Sequence, residues 1–207
     1  MTKALIIYTD NLDSIWQLHK VAMMQYKSGL ESDVSEIYRA ELVLLVSAFD
    51  AYMHDILADL QTKHLLTGKT WKKMMLCRFG IPPHMQKSLK REPSLDKRKV
   101  RIRPLILKKL QKYTYQRSYA IANGFKQCGV SDIWSEIGSL NTEESEKEIM
   151  KKVNAIINER NGIVHQAHRD AKNGEKMPMT EQHVDNAKDY LTDVVKRIDQ
   201  IVEDKYL

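Results

Sequence analysis

Residues 37–60 run Ile37-Tyr38-Arg39-Ala40-Glu41-Leu42-Val43-Leu44-Leu45-Val46-Ser47-Ala48-Phe49-Asp50-Ala51-Tyr52-Met53-His54-Asp55-Ile56-Leu57-Ala58-Asp59-Leu60. The five apolar residues Leu42–Val46, taken alone, fit a buried strand as well as a helix. On both sides, however, Ile37, Phe49, Tyr52, Met53, Ile56, Leu57 and Leu60 recur every three or four positions, and no turn signal interrupts them. A helix is therefore predicted, from a cap at Ser32 or Asp33 to about Leu66, with Glu36 completing a capping-box pattern on Asp33. Apolar side chains occupy most of its circumference, so it is expected to be the central, most buried helix.

Working outward, Asp10 or Asn11 can cap an earlier helix carrying Leu12, Ile15, Trp16, Leu18, Val21, Ala22 and Met23, ended by Ser28-Gly29. Downstream, Trp71–Phe79 has the pattern of a short basic helix, and Gly80-Ile81-Pro82-Pro83 is a stop. From His84 to Arg103 the chain is polar and basic, with a weak helical pattern at Met85–Leu89. The alternation in Lys97-Arg98-Lys99-Val100-Arg101-Ile102-Arg103 allows a short extended piece. Residues 67–103 are accordingly expected to form a basic insertion or arm in a single domain spanning 1–207.

Pro104 suits the first turn of a further helix, carrying Leu105 to Phe125 and closing at Cys128-Gly129. Ser131 is the expected cap of a short helix, Asp132 to Ile137. Asn141 or Thr142 is expected to start a helix bearing Ile149, Val153, Ile156 and Ile157. After a loop from His168 to Pro178, Thr180 caps a last amphipathic helix with Val184, Ala187, Leu191, Val194, Val195, Ile198 and Ile201. The fold class expected is all-α, an up-and-down helical bundle.

Composition narrows the function classes. With 43% hydrophobic and 29% charged residues, the 207-residue chain has the balance of a globular domain rather than of a disordered one. The Ala4–Tyr8 run is too short for a signal peptide and no stretch reaches membrane-spanning length. Cys77 and Cys128 sit in no metal-ligand spacing, so a reduced, cytoplasmic chain without a membrane partner is expected. The net charge of +6 is unevenly spread: Lys63–Arg117 holds 17 Lys or Arg against only Glu92 and Asp96, and the remainder is net acidic. Such segregation suits a polyanion, although solvated basic faces are also common. Lys72, Lys73, Arg98, Lys99, Arg101 and Arg103 are the RNA-binding candidates within it. Trp71, Phe79, Tyr113, Tyr115 and Tyr119 interleave with these cations as single-strand stacking would require, but core packing explains Trp71 and Tyr113 at least as well.

The chemistry concentrates in Asn158-Glu159-Arg160-Asn161-Gly162-Ile163-Val164-His165. On an ideal helix Asn161 and His165 share a face, whereas Arg160 lies about 140° from His165. The three converge only if the helix tightens near Gly162 or the long Arg160 side chain wraps round. The carbonyl end of a helix favours a cationic imidazole. Cutting RNA without a metal needs a base for the 2′-OH, a proton for the 5′-oxygen and a cation for the crowded phosphate. His165 fits the first two tasks, Arg160 the third, and Asn161 can orient by hydrogen bonding. One histidine cannot comfortably be acid and base at once, which favours two copies meeting across a dimer interface. The plain alternative is that these residues merely cap helix carbonyls. Asp50, a carboxylate in an apolar run, could orient Arg160 or His165, or pair structurally with Arg39 or another cation. His54 is read as a satisfied histidine and His168 as an exposed loop residue, with no metal site expected at His165 and His168.

Two blocks resemble the HEPN superfamily, specifically its RiboL-PSP-HEPN branch: Arg39–Tyr52, and Gly129-Val130-Ser131-Asp132-Ile133-Trp134 followed by Asn158–His165. Arg160-Asn161, three residues, then His165 resembles the Arg-x4-6-His signature of that superfamily. The resemblance implies a helical bundle, commonly a homodimer, whose facing motifs form a metal-independent endoribonuclease site that needs no cofactor and leaves a 2′,3′-cyclic phosphate. It also implies roles in bacterial toxin–antitoxin, phage-defence or RNA-processing systems, with an antitoxin protein as a further partner. The alternative within the same family is a non-catalytic module binding RNA, nucleotide or a protein. A helical interaction protein whose basic stretch meets an acidic partner is a third reading.

Overall fold

Residues 31–67 form one unbroken helix, α2 (Glu31–Thr67), against which the other long helices pack. The computed structural model describes residues 1–29, 31–67, 83–140, 143–170 and 172–207. Leu42, Leu45, Val46, Phe49, Tyr52, Met53, Ile56 and Leu57 are each 2% exposed or less, whereas Leu44 is 46% exposed. That is the three-to-four-residue rhythm of a helix, not the alternation of a strand. The other elements are α1 (Lys3–Lys27), α3 (Pro83–Arg91), α4 (Leu95–Leu110), α5 (Ser118–Gln127), α6 (Ile133–Ser139), α7 (Glu146–Gln166) and α8 (Glu181–Lys205). Among the described residues there is no strand, only an isolated bridge between Arg169 and Lys176, and the molecule is an all-α bundle. No described helix is long and apolar enough to cross a membrane.

The first helix starts earlier than its apolar pattern suggests. Thr2 is the cap, its Oγ1 accepting from Leu5 N at 3.2 Å, so Ala4–Tyr8 belongs to α1. A buried carboxylate explains the difference: Asp199 on α8 accepts from both the Thr2 backbone N–H, at 3.1 Å, and the Thr2 hydroxyl. A long-range partner of this kind leaves no local trace in the sequence.

Residues 83–110 also depart from expectation. The weak helical pattern at Met85–Leu89 lies in α3, but Lys97–Arg103, where a short extended piece was allowed, is helical in α4; Leu89, Ile102 and Ile106 are fully buried, with Leu110 nearly so. The spacing Ile102, Ile106, Leu110 lays one apolar stripe against α2 while the cations point outward. Ser94 caps α4 through Lys97 N, and Pro104 lies inside the helix, not at its start. The amide that proline lacks would have bonded Val100, which is 73% exposed, so water can satisfy that carbonyl.

The long helix expected from Pro104 to Phe125 is two, separated by residues 111–117. The Asp50 carboxylate of α2 accepts from Tyr115 N at 2.7 Å and Gln116 Nε2 at 3.2 Å, and His54 Nε2 donates to the Tyr113 carbonyl at 3.0 Å. These bonds pin a loop where helical periodicity alone would continue. Asp132, rather than Ser131, caps α6, and Ser145 caps α7. Thr180 caps α8 as expected. The Trp71–Phe79 helix, the stop before Pro83, Cys77, and the caps at Asn141 or Thr142 lie outside the described residues. The Cys128 thiol is buried among carbonyls, which pushes its pKa up to about 12 and leaves it unreactive.

Candidate active site

Helix α7 begins with a reciprocal cap. Ser145 Oγ accepts from Glu148 N, while Glu148 Oε2 accepts from the Ser145 hydroxyl at 2.6 Å and from Ser145 N at 2.8 Å; these last two bonds, the hydroxyl's first, hold the Glu148 carboxyl below its ordinary range. Ile149, Val153 and Ile157 form its buried stripe. The opposite arc, at intervals of four and three, carries Lys147, Lys151, Asn154, Asn158, Asn161 and His165. Lys147, Lys151, Asn154 and Asn158 border a shallow groove along this arc. Asn154 also anchors α5: its Oδ1 accepts from Ser118 N at 3.1 Å and its Nδ2 donates to Ser118 Oγ at 2.8 Å. It supplies the capping that Arg117, the residue just before α5, does not.

The penultimate turn of α7 brings two of the three motif residues together. Arg160 Nη1 donates to Asn161 Oδ1 at 3.0 Å, so the long side chain wraps from its own face toward that of Asn161. Its Nε is buried and has no hydrogen-bond partner among the described residues. His165 lies one turn further on, on the face shared with Asn161, and is exposed. It takes no part in the Arg160–Asn161 bond.

The turn is held from behind by residues that the sequence did not single out for this task. His168 is 4% exposed, not a solvated loop residue, and its ring packs beside Gly162. Arg39 of α2, itself 5% exposed, donates from Nε to His168 Nδ1 at 3.3 Å and from Nη2 to the Met177 carbonyl at 2.6 Å. Burial, and then the Arg39 charge, lower the His168 pKa, so the ring stays neutral and Nδ1 is free to accept. His168 N and the Ala167 cap N–H both go to the Gly162 carbonyl. Arg39 was legible as part of a recognisable block; its link to His168, 129 residues away, was not.

Asp50 does not orient Arg160 or His165. Its carboxylate serves Tyr115 and Gln116, as described above, and the Arg39 guanidinium goes to His168, Glu36, Ser35 and Met177 instead. Of the basic candidates, Lys72 and Lys73 lie outside the described residues. Lys99 and Arg101 are exposed on α4, Arg101 donating to Ser88 Oγ at 3.0 Å, and Arg98 donates to the Glu92 carbonyl. Arg103 is different: it forms ion pairs with Asp55, at 2.7 Å, and Asp59 of α2, so its charge is compensated within the fold. The sequence counted Arg103 toward the surface, because Asp55 and Asp59 are more than forty residues away. Tyr113, for which core packing was an open reading, is 58% exposed, and Tyr119 is 66% exposed.

A sequence model of RiboL-PSP-HEPN matches residues 12–204, nearly the whole chain. The chain belongs to the RiboL-PSP-HEPN family. No match to a curated protein or to a solved structure was found. The all-α bundle, with eight helices among the described residues, is accordingly a HEPN-type fold, and a HEPN domain is compatible with either a ribonuclease or a nucleotide-binding module.

Proposed function

We propose that this HEPN domain is a metal-independent endoribonuclease, working as a homodimer in which the Arg160, Asn161 and His165 clusters of two copies face one RNA strand. The observation that carries the reading is the placement of Arg160-Asn161-x3-His165 on the last two turns of α7, with His165 exposed and Arg160 drawn to Asn161. The lysines Lys147 and Lys151 lie on the same arc of α7 as His165, which suits a polyanion approaching along that helix.

In this reaction the 2′-oxygen attacks the adjacent phosphorus as its proton passes to one His165. The bond to the 5′-oxygen breaks, and that oxygen takes a proton from the His165 of the other copy. The products are a 2′,3′-cyclic phosphate and a 5′-hydroxyl. Arg160 offsets the charge that builds on the non-bridging oxygens, and Asn161 fixes the direction of the guanidinium. Two imidazoles in opposite protonation states divide tasks that one could not perform together.

The test is cleavage of a mixed RNA pool, with chelator present, by the wild type and by His165→Ala. The wild type is expected to cut and to leave cyclic phosphate ends, and the variant to lose roughly 10²- to 10⁴-fold in rate. Equal cleavage by both proteins, or none by either, would overturn the reading.

A further inference from the structure

Between the end of α4, the loop 111–117 and the outer face of α5 lies a cleft of about 560 Å³, within the range of small-ligand sites. Its lining combines two tyrosine rings, Tyr113 and Tyr119, a cation, Lys112, and the amides of Asn123 and Gln127, with Gln61 of α2 beneath. Three observations mark it as a built site. The loop is tied to α2 by Asp50 and His54, so the Tyr113 backbone is held in place. Gly124 admits the Tyr115 ring so closely that an added Cβ would lie 2.7 Å from Leu57 Cδ1 and 2.9 Å from Tyr115 Cε1. Gln61, 4% exposed, closes the cleft from below, and its buried Oε1 has no hydrogen-bond partner among the described residues.

The two outer rings stay more than half exposed, although burying a tyrosine ring is among the larger gains open to a fold. Exposed rings beside a cation and amide groups offer what an unpaired base requires: a flat surface to stack on, hydrogen bonds for its edge, and charge for the neighbouring phosphate. A strand rather than a free nucleotide is favoured by position. The first residue of α5, Ser118, is hydrogen-bonded to Asn154, which borders the groove on α7, the helix that also carries His165. The helix that bears Tyr119 is thus tied directly to the helix that bears His165.

We infer that the cleft between α4 and α5 is a subsite for an unpaired base of single-stranded RNA, stacked on Tyr113 or Tyr119 with Lys112 meeting the adjoining phosphate. It rests on the reading that RNA is the ligand, but binding here can be measured without cleavage.

The experiment uses the full chain carrying His165→Ala, so that the RNA survives, and follows the fluorescence anisotropy of a labelled single-stranded oligoribonucleotide. Adding Tyr113→Ala and Tyr119→Ala together is expected to weaken binding by about ten-fold or more. The Tyr→Phe pair, which keeps both rings, is expected to bind as the parent does. A duplex of the same sequence is expected to show no difference between the Ala pair and the parent. Equal single-strand affinity of the Ala pair and the parent, or an equal loss for duplex, would overturn the subsite. Competition by adenosine monophosphate at these tyrosines, with oligonucleotide affinity unmoved by their loss, would assign the cleft to a free nucleotide and overturn it also. If wild-type protein cut no RNA but the Ala pair still lost affinity, the ribonuclease reading alone would fall.

Discussion

Ala167 and His168 both hold a φ of 51°, consecutive left-handed residues at the end of the helix that carries His165. Glycine is the residue that takes this conformation without cost, and an L side chain there is strained by roughly 1 kcal/mol or more. His168 is recompensed by its buried bond from Arg39, whereas Ala167 is exposed. Ala167→Gly is therefore expected to stabilise the fold by about 0.5–1 kcal/mol in chemical denaturation. A loss of stability would show that the Ala167 methyl does something the backbone argument omits. At this scale the sequence was informative about Arg160, Asn161 and His165, because they lie within six residues and their spacing can be laid on one helix. It misread His168 because nothing local distinguishes a loop histidine in water from one pressed between Gly162 and an arginine from another helix.

Helix α4 shows how far an element can be inferred from its own pattern. The alternation Lys97–Arg103 suggested extended chain, but the positions that matter are Ile102, Ile106 and Leu110, four apart and buried on α2. The charge density of the segment masked this stripe. Proline at 104 reinforced the error, because its usual place is a first turn rather than the tenth residue of a helix. By contrast α8 was legible throughout, and α2 along its length, although it begins at Glu31, before the cap expected at Ser32 or Asp33. The same helix separates cations with different duties. Arg103, half-buried between Asp55 and Asp59, joins α4 to α2, whereas Lys99 and Arg101 face outward. Arg103→Ala is expected to cost roughly 1–3 kcal/mol in unfolding, by leaving two carboxylates of α2 without their cation. It is expected to leave the salt dependence of RNA binding unchanged. A variant as stable as the wild type, with a shallower salt slope, would return Arg103 to the binding surface.

At the scale of the whole molecule, the all-α class and membership of the RiboL-PSP-HEPN family follow from patterns spread along the chain, which explains why both were readable in the sequence. Long-range polar links were not readable: Asp199 with Thr2, Asp50 with the Tyr115 backbone and the Gln116 side chain, Arg39 with His168. Each joins residues dozens of positions apart through one or two bonds, and no periodicity records such a pair. The chemistry proposed for the molecule adds one requirement beyond a single chain, since acid and base are both drawn from His165. Two copies related by a two-fold axis would present the same surface to each other and place both imidazoles at one phosphate. The most direct test mixes wild-type protein with His165→Ala, allows the subunits to exchange, and follows RNA cleavage at constant total protein. If both histidines are needed, activity falls with the square of the wild-type fraction, to about one quarter at equal parts. A linear fall, to about one half, would mean that each subunit cuts alone and would contradict the shared site.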